Sequence, residues 1–132
     1  MRLAALAIVL AVAGACGGAG LPAPTSPTPI PPIAGAVLVT TANDRGTVHA
    51  RVGDTIQIAL GSNYDWRLDP PDGVVLVRSA QNYLLVRGTQ AVWTAVLPGT
   101  STLTATGTVI CPSGQACIMI ALLFKATVVV AP

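Results

Sequence analysis

The sequence predicts an all-β domain, a sandwich of about seven to eight antiparallel strands, behind an N-terminal targeting segment and a Pro-rich linker. Three observations predict it. Turn signals recur through Asn43-Asp44-Arg45-Gly46, Gly53-Asp54, Gly61-Ser62-Asn63, Asp69-Pro70-Pro71-Asp72-Gly73 and Pro98-Gly99. That is close to the spacing of roughly 8–12 residues expected of short paired strands, and the segments between them alternate apolar and polar residues. The composition is 52% hydrophobic and only 9% charged, without a single glutamate, and it is rich in Val, Ala, Leu and Thr. The β-branched Val and Thr among them suit a pleated, half-buried surface. Finally, no long stretch beyond the first fifteen residues has a 3.6-residue apolar period, and no βαβ pattern, Gly-rich phosphate loop or heptad competes.

From the N-terminus, residues 1–15 have the make-up of a signal peptide. Arg2 provides the positive charge, Leu3 to Val12 the apolar core, and Ala13-Gly14-Ala15 the small residues before Cys16. The run resembles the lipobox of bacterial lipoproteins, in which the cysteine at the cleavage point carries diacylglycerol. The family prefers Leu three residues before that cysteine, where this chain has Ala13. The resemblance implies a lipidated Cys16 and an extracytoplasmic chain anchored to the bacterial membrane. Residues 16–35 then form a linker. Its prolines, from Pro22 to Pro32, bar a helix or central strand. They favour polyproline II at about 3.1 Å per residue, a stalk reaching roughly 50 Å.

The domain occupies residues 36–132, close to the length of about 100 residues typical of an Ig-like sandwich. Ala36 to Thr41 reads as its first strand. In Thr47 to Val52, Val48, Ala50 and Val52 share the inward face, and Thr47, His49 and Arg51 the outward one. Thr55 to Leu60 turns Ile56, Ile58 and Leu60 inward, and in Tyr64 to Leu68 Trp66 and Leu68 share a face. Further strands are expected at Val74 to Arg78, Tyr83 to Arg87 and Thr89 to Leu97. After the Pro98-Gly99 turn, Ser101, Leu103 and Ala105 face in while the alternating threonines from Thr100 to Thr108 face out. The last segment, Ile118 to Val130, is apolar on both faces apart from Lys125. A strand with one wet face alternates, so this one is expected to be central and the most buried. It is also shorter than the run of about 20 apolar residues that a membrane helix needs.

Several strings, Gly46-Thr47-Val48, Val52-Gly-Asp-Thr-Ile-Gln-Ile-Ala-Leu60, Trp66-Arg-Leu68, Gly88-Thr-Gln90, Pro98-Gly-Thr-Ser-Thr-Leu103 and Phe124-Lys-Ala-Thr-Val-Val-Val130, resemble the chagasin-type inhibitors of papain-like cysteine peptidases. Val-Gly-Asp and Pro-Gly-Thr-x-x-Leu resemble bacterial Ig-like repeats as well, and both families share an Ig-like sandwich. The resemblance to chagasin implies inhibitory loops at one end. Where that family has Asn-Pro-Thr-Thr-Gly before an aromatic and a Trp, this chain has the shorter Ser62-Asn63-Tyr64-Asp65-Trp66. Its later Arg-Pro-Trp is absent, and Thr108-Val-Ile-Cys-Pro112 stands near that place.

With Cys16 set aside, Cys111 and Cys117 are an even pair in an oxidising compartment, and a disulfide between them is expected. The candidate binding loops are Asn63, Tyr64, Asp65 and Trp66; Arg87 and Gly88; and Pro112, Ser113, Gly114 and Gln115 in the bridged loop. Trp66 is expected in the core as well, since Ig-like sandwiches bury a Trp. No catalytic residue or cofactor is assigned. The sole histidine, His49, sits on a strand without a nucleophile signal. No metal site is assigned either: one histidine and two thiols fall short of a zinc set, and Asp65, Asp69 and Asp72 lack EF-hand spacing. Without Arg2 the six basic side chains face five aspartates, about +1 in all. That is no footprint for nucleic acid, which needs a clustered basic face. The reading is a non-catalytic, lipid-anchored extracytoplasmic Ig-like binding module at the bacterial cell surface, with an unknown protein or surface ligand as partner. Its alternative is a chagasin-like inhibitor whose partner is a papain-type cysteine peptidase.

Overall fold

The computed structural model describes residues 29–80 and 85–132. Among them are eight strands: β1 Val37–Thr40, β2 Thr47–Arg51, β3 Thr55–Ala59, β4 Tyr64–Leu68, β5 Leu76–Arg78, β6 Ala91–Ala95, β7 Gly99–Val109 and β8 Ala121–Ala131. They form two four-stranded sheets, ordered β1-β3-β6-β5 and β2-β8-β7-β4. The fold is the expected all-β, Ig-like sandwich. Alternation places Val39, Ile56, Ile58 and Leu76 from one sheet against Leu103, Phe124, Ala126 and Val128 from the other, all buried. Each large side chain so removed from water contributes about 1.5–3 kcal/mol.

Not every pairing is antiparallel. β1 runs parallel to β3, from Val37 beside Ile56 to Thr40 beside Ala59, and β2 runs parallel to β8, from Thr47 beside Thr127 to Arg51 beside Ala131. The cause is an early double crossing between sheets. A 3-10 turn, Thr41–Asn43, carries the chain out of the first sheet, and the turn at Val52-Gly53-Asp54 returns it. Asn43 Oδ1 accepts the Thr40 N–H at 2.8 Å and fixes the first crossing. Both opening strands therefore become sheet edges beside strands running the same way.

Burial departs from expectation in three places. The most buried strand is β3, where Ile56, Gln57, Ile58 and Ala59 are all buried, as is Leu60 just beyond its end. β8 is central in its sheet, but the strand begins at Ala121, and Ala121, Leu122 and Leu123 are exposed. β7 and β8 overrun the first sheet, so only from Phe124 onward does a facing layer cover them. Val52 is exposed, because β2 ends at Arg51 and the chain turns there. The strand expected at Tyr83 to Arg87 falls partly on residues that are not described. Its remainder, Leu85 to Arg87, is an exposed loop closed by Thr89 N–H donating to the Val86 carbonyl at 3.0 Å.

The segment before β1 is tied to the first sheet. The Ile33 N–H donates to Gln57 Oε1 at 2.7 Å, and Gln57 Nε2 donates to the Pro31 carbonyl at 3.2 Å. The expected signal peptide at 1–15, the acylated Cys16 and the linker up to residue 28 lie outside the described residues.

The loop before β5 is organised by Asp72. Its Oδ1 accepts the N–H groups of Val74 and Val75 at 2.6 Å each and of Leu76 at 3.3 Å. The slight desolvation of this exposed carboxyl pushes it up, but the nearby Ser101 hydroxyl and those three amides together outweigh it, so its pKa lies below the ordinary carboxylate value. The stability it confers is present above the unfolded carboxyl pKa, about 3.9. It is lost as pH falls through the lower folded value. Asp72→Ala is expected to cost about 1 kcal/mol in urea unfolding at neutral pH, the low figure reflecting its exposed position. Asp72→Asn should flatten the acid limb of the stability profile.

Candidate functional site

The candidate loops meet at one end of the sandwich. There β3 ends, β4 starts, β6 starts, β7 ends and β8 begins. Between them lies an open cleft of about 590 Å³, walled by Gly61 and Ser62, Tyr64 to Trp66, Arg87, Gly88 and Gln90, and Thr108 to Cys111. Its charged walls are Asp65 and Arg87, both exposed.

The cleft owes its shape to side chains that the alternation pattern did not single out. Gln90 Oε1 accepts the Leu60 N–H at 2.6 Å while its Nε2 donates to the Gly61 carbonyl at 2.8 Å. The Gly61 N–H in turn donates to the Gly88 carbonyl at 3.0 Å. One amide side chain thus clamps the Arg87-Gly88 loop to the turn that precedes Tyr64. Behind it, buried Gln57 donates to Thr89 Oγ1 at 3.0 Å. The available sequence signal was an amide set inside an otherwise apolar run, Ile56-Gln57-Ile58-Ala59-Leu60. Alternation alone assigned that amide to a wet face.

Trp66 is half-buried and does join the core, edge-on to Phe124 at 6.4 Å between ring centroids. Tyr64 packs edge-on to Trp66 at 5.9 Å. The two rings separate the cleft from a second groove of about 330 Å³, and it is this groove that Asn63 lines, with Leu122, Leu123 and Phe124. The buried Trp66 indole N–H meets no acceptor. Opposite the ring, in register, stands Gly107; a Cβ there would lie 2.8 Å from Trp66 Cζ3. Glycine at this position lets the indole lie against the backbone of β7.

Cys111 and Cys117 are bonded, with Cα atoms 6.0 Å apart. Cys111 touches the cleft, but Pro112, Ser113, Gly114 and Gln115 do not wall it. They form an exposed turn farther out, closed by Gln115 N–H donating to the Pro112 carbonyl at 3.2 Å. The third loop therefore contributes its base, Thr108 to Cys111, because β7 continues to Val109 and carries the tip past the cleft. Closing so short a loop stabilises by roughly 2 kcal/mol at most. Reduction is expected to speed amide exchange across residues 110–120 by at least about tenfold, with a drop of only a few degrees in Tm.

Elsewhere, Asp69 accepts a hydrogen bond from the Thr104 hydroxyl and Asp72 caps its own loop. Among the described residues no three His, Cys, Asp or Glu side chains gather as a metal site. His49 is exposed on β2, in a shallow hollow with Ala50, Arg51, Asp54, Val129 and Ala131. Another hollow, about 380 Å³ between Leu68 to Pro71 and Gln90 to Trp93, holds none of the expected site residues. Among the described residues no helix is long and apolar enough to cross a membrane.

No protein-family model matches the chain, and no curated protein does. Solved structures do resemble it. The cysteine protease inhibitor EhICP2 from Entamoeba histolytica is 17% identical, with a TM-score of 0.50 over 71% of this chain and 93% of that one. Amebosin is 18% identical, with a TM-score of 0.43 over 73% of this chain and 98% of that one. At such identities the likeness to EhICP2 shows the fold and nothing further, and the lower score of amebosin carries no weight.

Proposed function

We propose that this domain inhibits papain-type cysteine peptidases, presenting the end that carries Tyr64, Arg87 and the base of the disulfide loop to a peptidase cleft. The observation that carries the reading is the convergence of three chain segments, far apart in sequence, on one end of a rigid sandwich. The Gln90 clamp and the disulfide order two of those segments in advance, which lowers the entropy lost on binding. The sequence resemblance to chagasin-type inhibitors supports the same partner, as does likeness in fold to a protein described as a cysteine protease inhibitor. Tyr64 offers an aromatic face with a polar tip, and Arg87 a planar donor.

The test is steady-state inhibition of papain by the chain beginning at Pro29, which keeps the docked Pro31–Ile33 segment. Competitive inhibition, weakened at least about tenfold by Tyr64→Ala with Arg87→Ala, is expected. An unchanged peptidase rate at saturating domain would retire the reading.

The loops that wall the cleft do not repeat the family's inhibitory motifs, and this favours a second reading: a binding module whose partner is another protein or surface ligand. Either role fits an extracytoplasmic domain held to the membrane by acylated Cys16 on a Pro-rich stalk. Cys16→Ser is expected to release the protein from the membrane fraction or leave it unprocessed; wild-type fractionation and processing would count against the anchor.

A further inference from the structure

We infer that the tip of the β7–β8 hairpin is a membrane-interface anchor, inserting its apolar side chains at the boundary between headgroups and acyl chains. This goes beyond inhibition, and its choice of a bilayer as occupant rests on the membrane-targeting reading of residues 1–16. The hairpin overruns the first sheet and presents Met119, Leu123 and Ile118 at 92%, 78% and 75% exposure, with Ile110 and Ile120 also exposed. Ile118, Met119 and Ile120 are consecutive and all exposed, and apolar side chains grouped in this way on a protein surface mark protein or membrane contact sites. No charged side chain occurs in sequence between Arg87 and Lys125, so no charge in the tip opposes entry into lipid.

The rest of the chain favours a bilayer over a protein as the occupant. The side chain of Ile30 lies against Gly88, where a Cβ would come within 3.0 Å of it, and Gly88 walls the end cleft. The segment leading from residues 1–28 therefore enters at the same end of the sandwich as the tip. A targeting segment and an apolar protrusion at one end both bring that end to a membrane. Depth is limited by the backbone. In residues 110–120 the described backbone bonds within the loop are those of Gln115 to Pro112 and Ile120 to Ile118, so the peptide groups stay among the headgroups while side chains reach inward. Ile110 and Cys111 belong to both the tip and the cleft wall, so a domain seated on lipid cannot at that moment place this wall in a peptidase.

The test uses the full chain with Met119→Trp, mixed with phosphatidylcholine–phosphatidylglycerol vesicles brominated at shallow or deep acyl positions, and reads the added indole against the parent chain. Shallow bromines are expected to quench it at least about twofold more than deep ones. Adding Ile118→Asp and Leu123→Asp, both at exposed positions, should abolish that quenching while leaving the circular dichroism unchanged. An indole that stays in water, whether or not the chain is on the vesicle, overturns the inference. So does an indole shielded without lipid in a concentration-dependent way, the sign of a second copy, or one shielded only when papain is added.

Discussion

Trp66→Ala is expected to destabilise the domain by about 3 kcal/mol, the lower end for an aromatic removed from a core, because this ring is half-buried. The ring is the hinge between core and site: it packs on buried Phe124 at one edge, supports Tyr64 at the other, and walls both grooves. Urea unfolding should show the loss as a shift in midpoint at constant slope. Trp66→Phe should cost less than half as much, since it keeps an aromatic edge toward Phe124 and removes a buried N–H that has no acceptor. Gly107→Ala should itself cost about 1–3 kcal/mol by forcing a methyl into the space of the indole. In the Trp66→Ala background the same change should cost almost nothing, because the space is then open. Additive costs would show that the two residues do not share that space.

Gln57→Ala is expected to be comparably severe, about 3 kcal/mol, for a different reason. The side chain is fully buried, yet it serves Ile33, Pro31 and Thr89 at once. Truncation leaves a cavity and strands polar groups on all three partners. Gln57→Leu refills the space without restoring the bonds, so it should recover only part of the loss. Amide exchange at Ile33 should rise by at least about tenfold in either variant, and the loop at Thr89 should loosen with it. Exchange at Ile33 that stays at the parental rate would mean that the segment before β1 is held by something other than this amide.

Most of the sandwich was legible because alternation reports faces directly. Val48 with Ala50, Ile56 with Ile58, and Ser101 with Leu103 and Ala105 all point inward as their spacing predicts. Turn residues located β2, β3, β4 and β7 to within a residue or two. Alternation reports neither which strand is a neighbour nor how far the opposite layer extends. Parallel pairing of β1 and β2 depends on two crossings between sheets, and the exposure of Ile118 to Leu123 depends on where the first sheet stops. Both are properties of the assembled sandwich. The end site was legible in outline, since loops at one end of an Ig-like sandwich sit on rigid strands. Its inner parts were not. Gln57 and Gln90 look like outward-facing polar residues until the backbone groups of Ile33, Leu60 and Gly61 are brought beside them. Gly107 resembles any small residue until Trp66 lies opposite.

The central claim is that this end of the domain enters a peptidase cleft. Titration of the domain, beginning at Pro29, against papain whose active-site cleft is filled by a covalent peptide-like adduct tests it most directly. Affinity for the filled enzyme at least about a hundredfold below that for free papain is the predicted result. Equal affinity for the filled and free enzymes would contradict the claim.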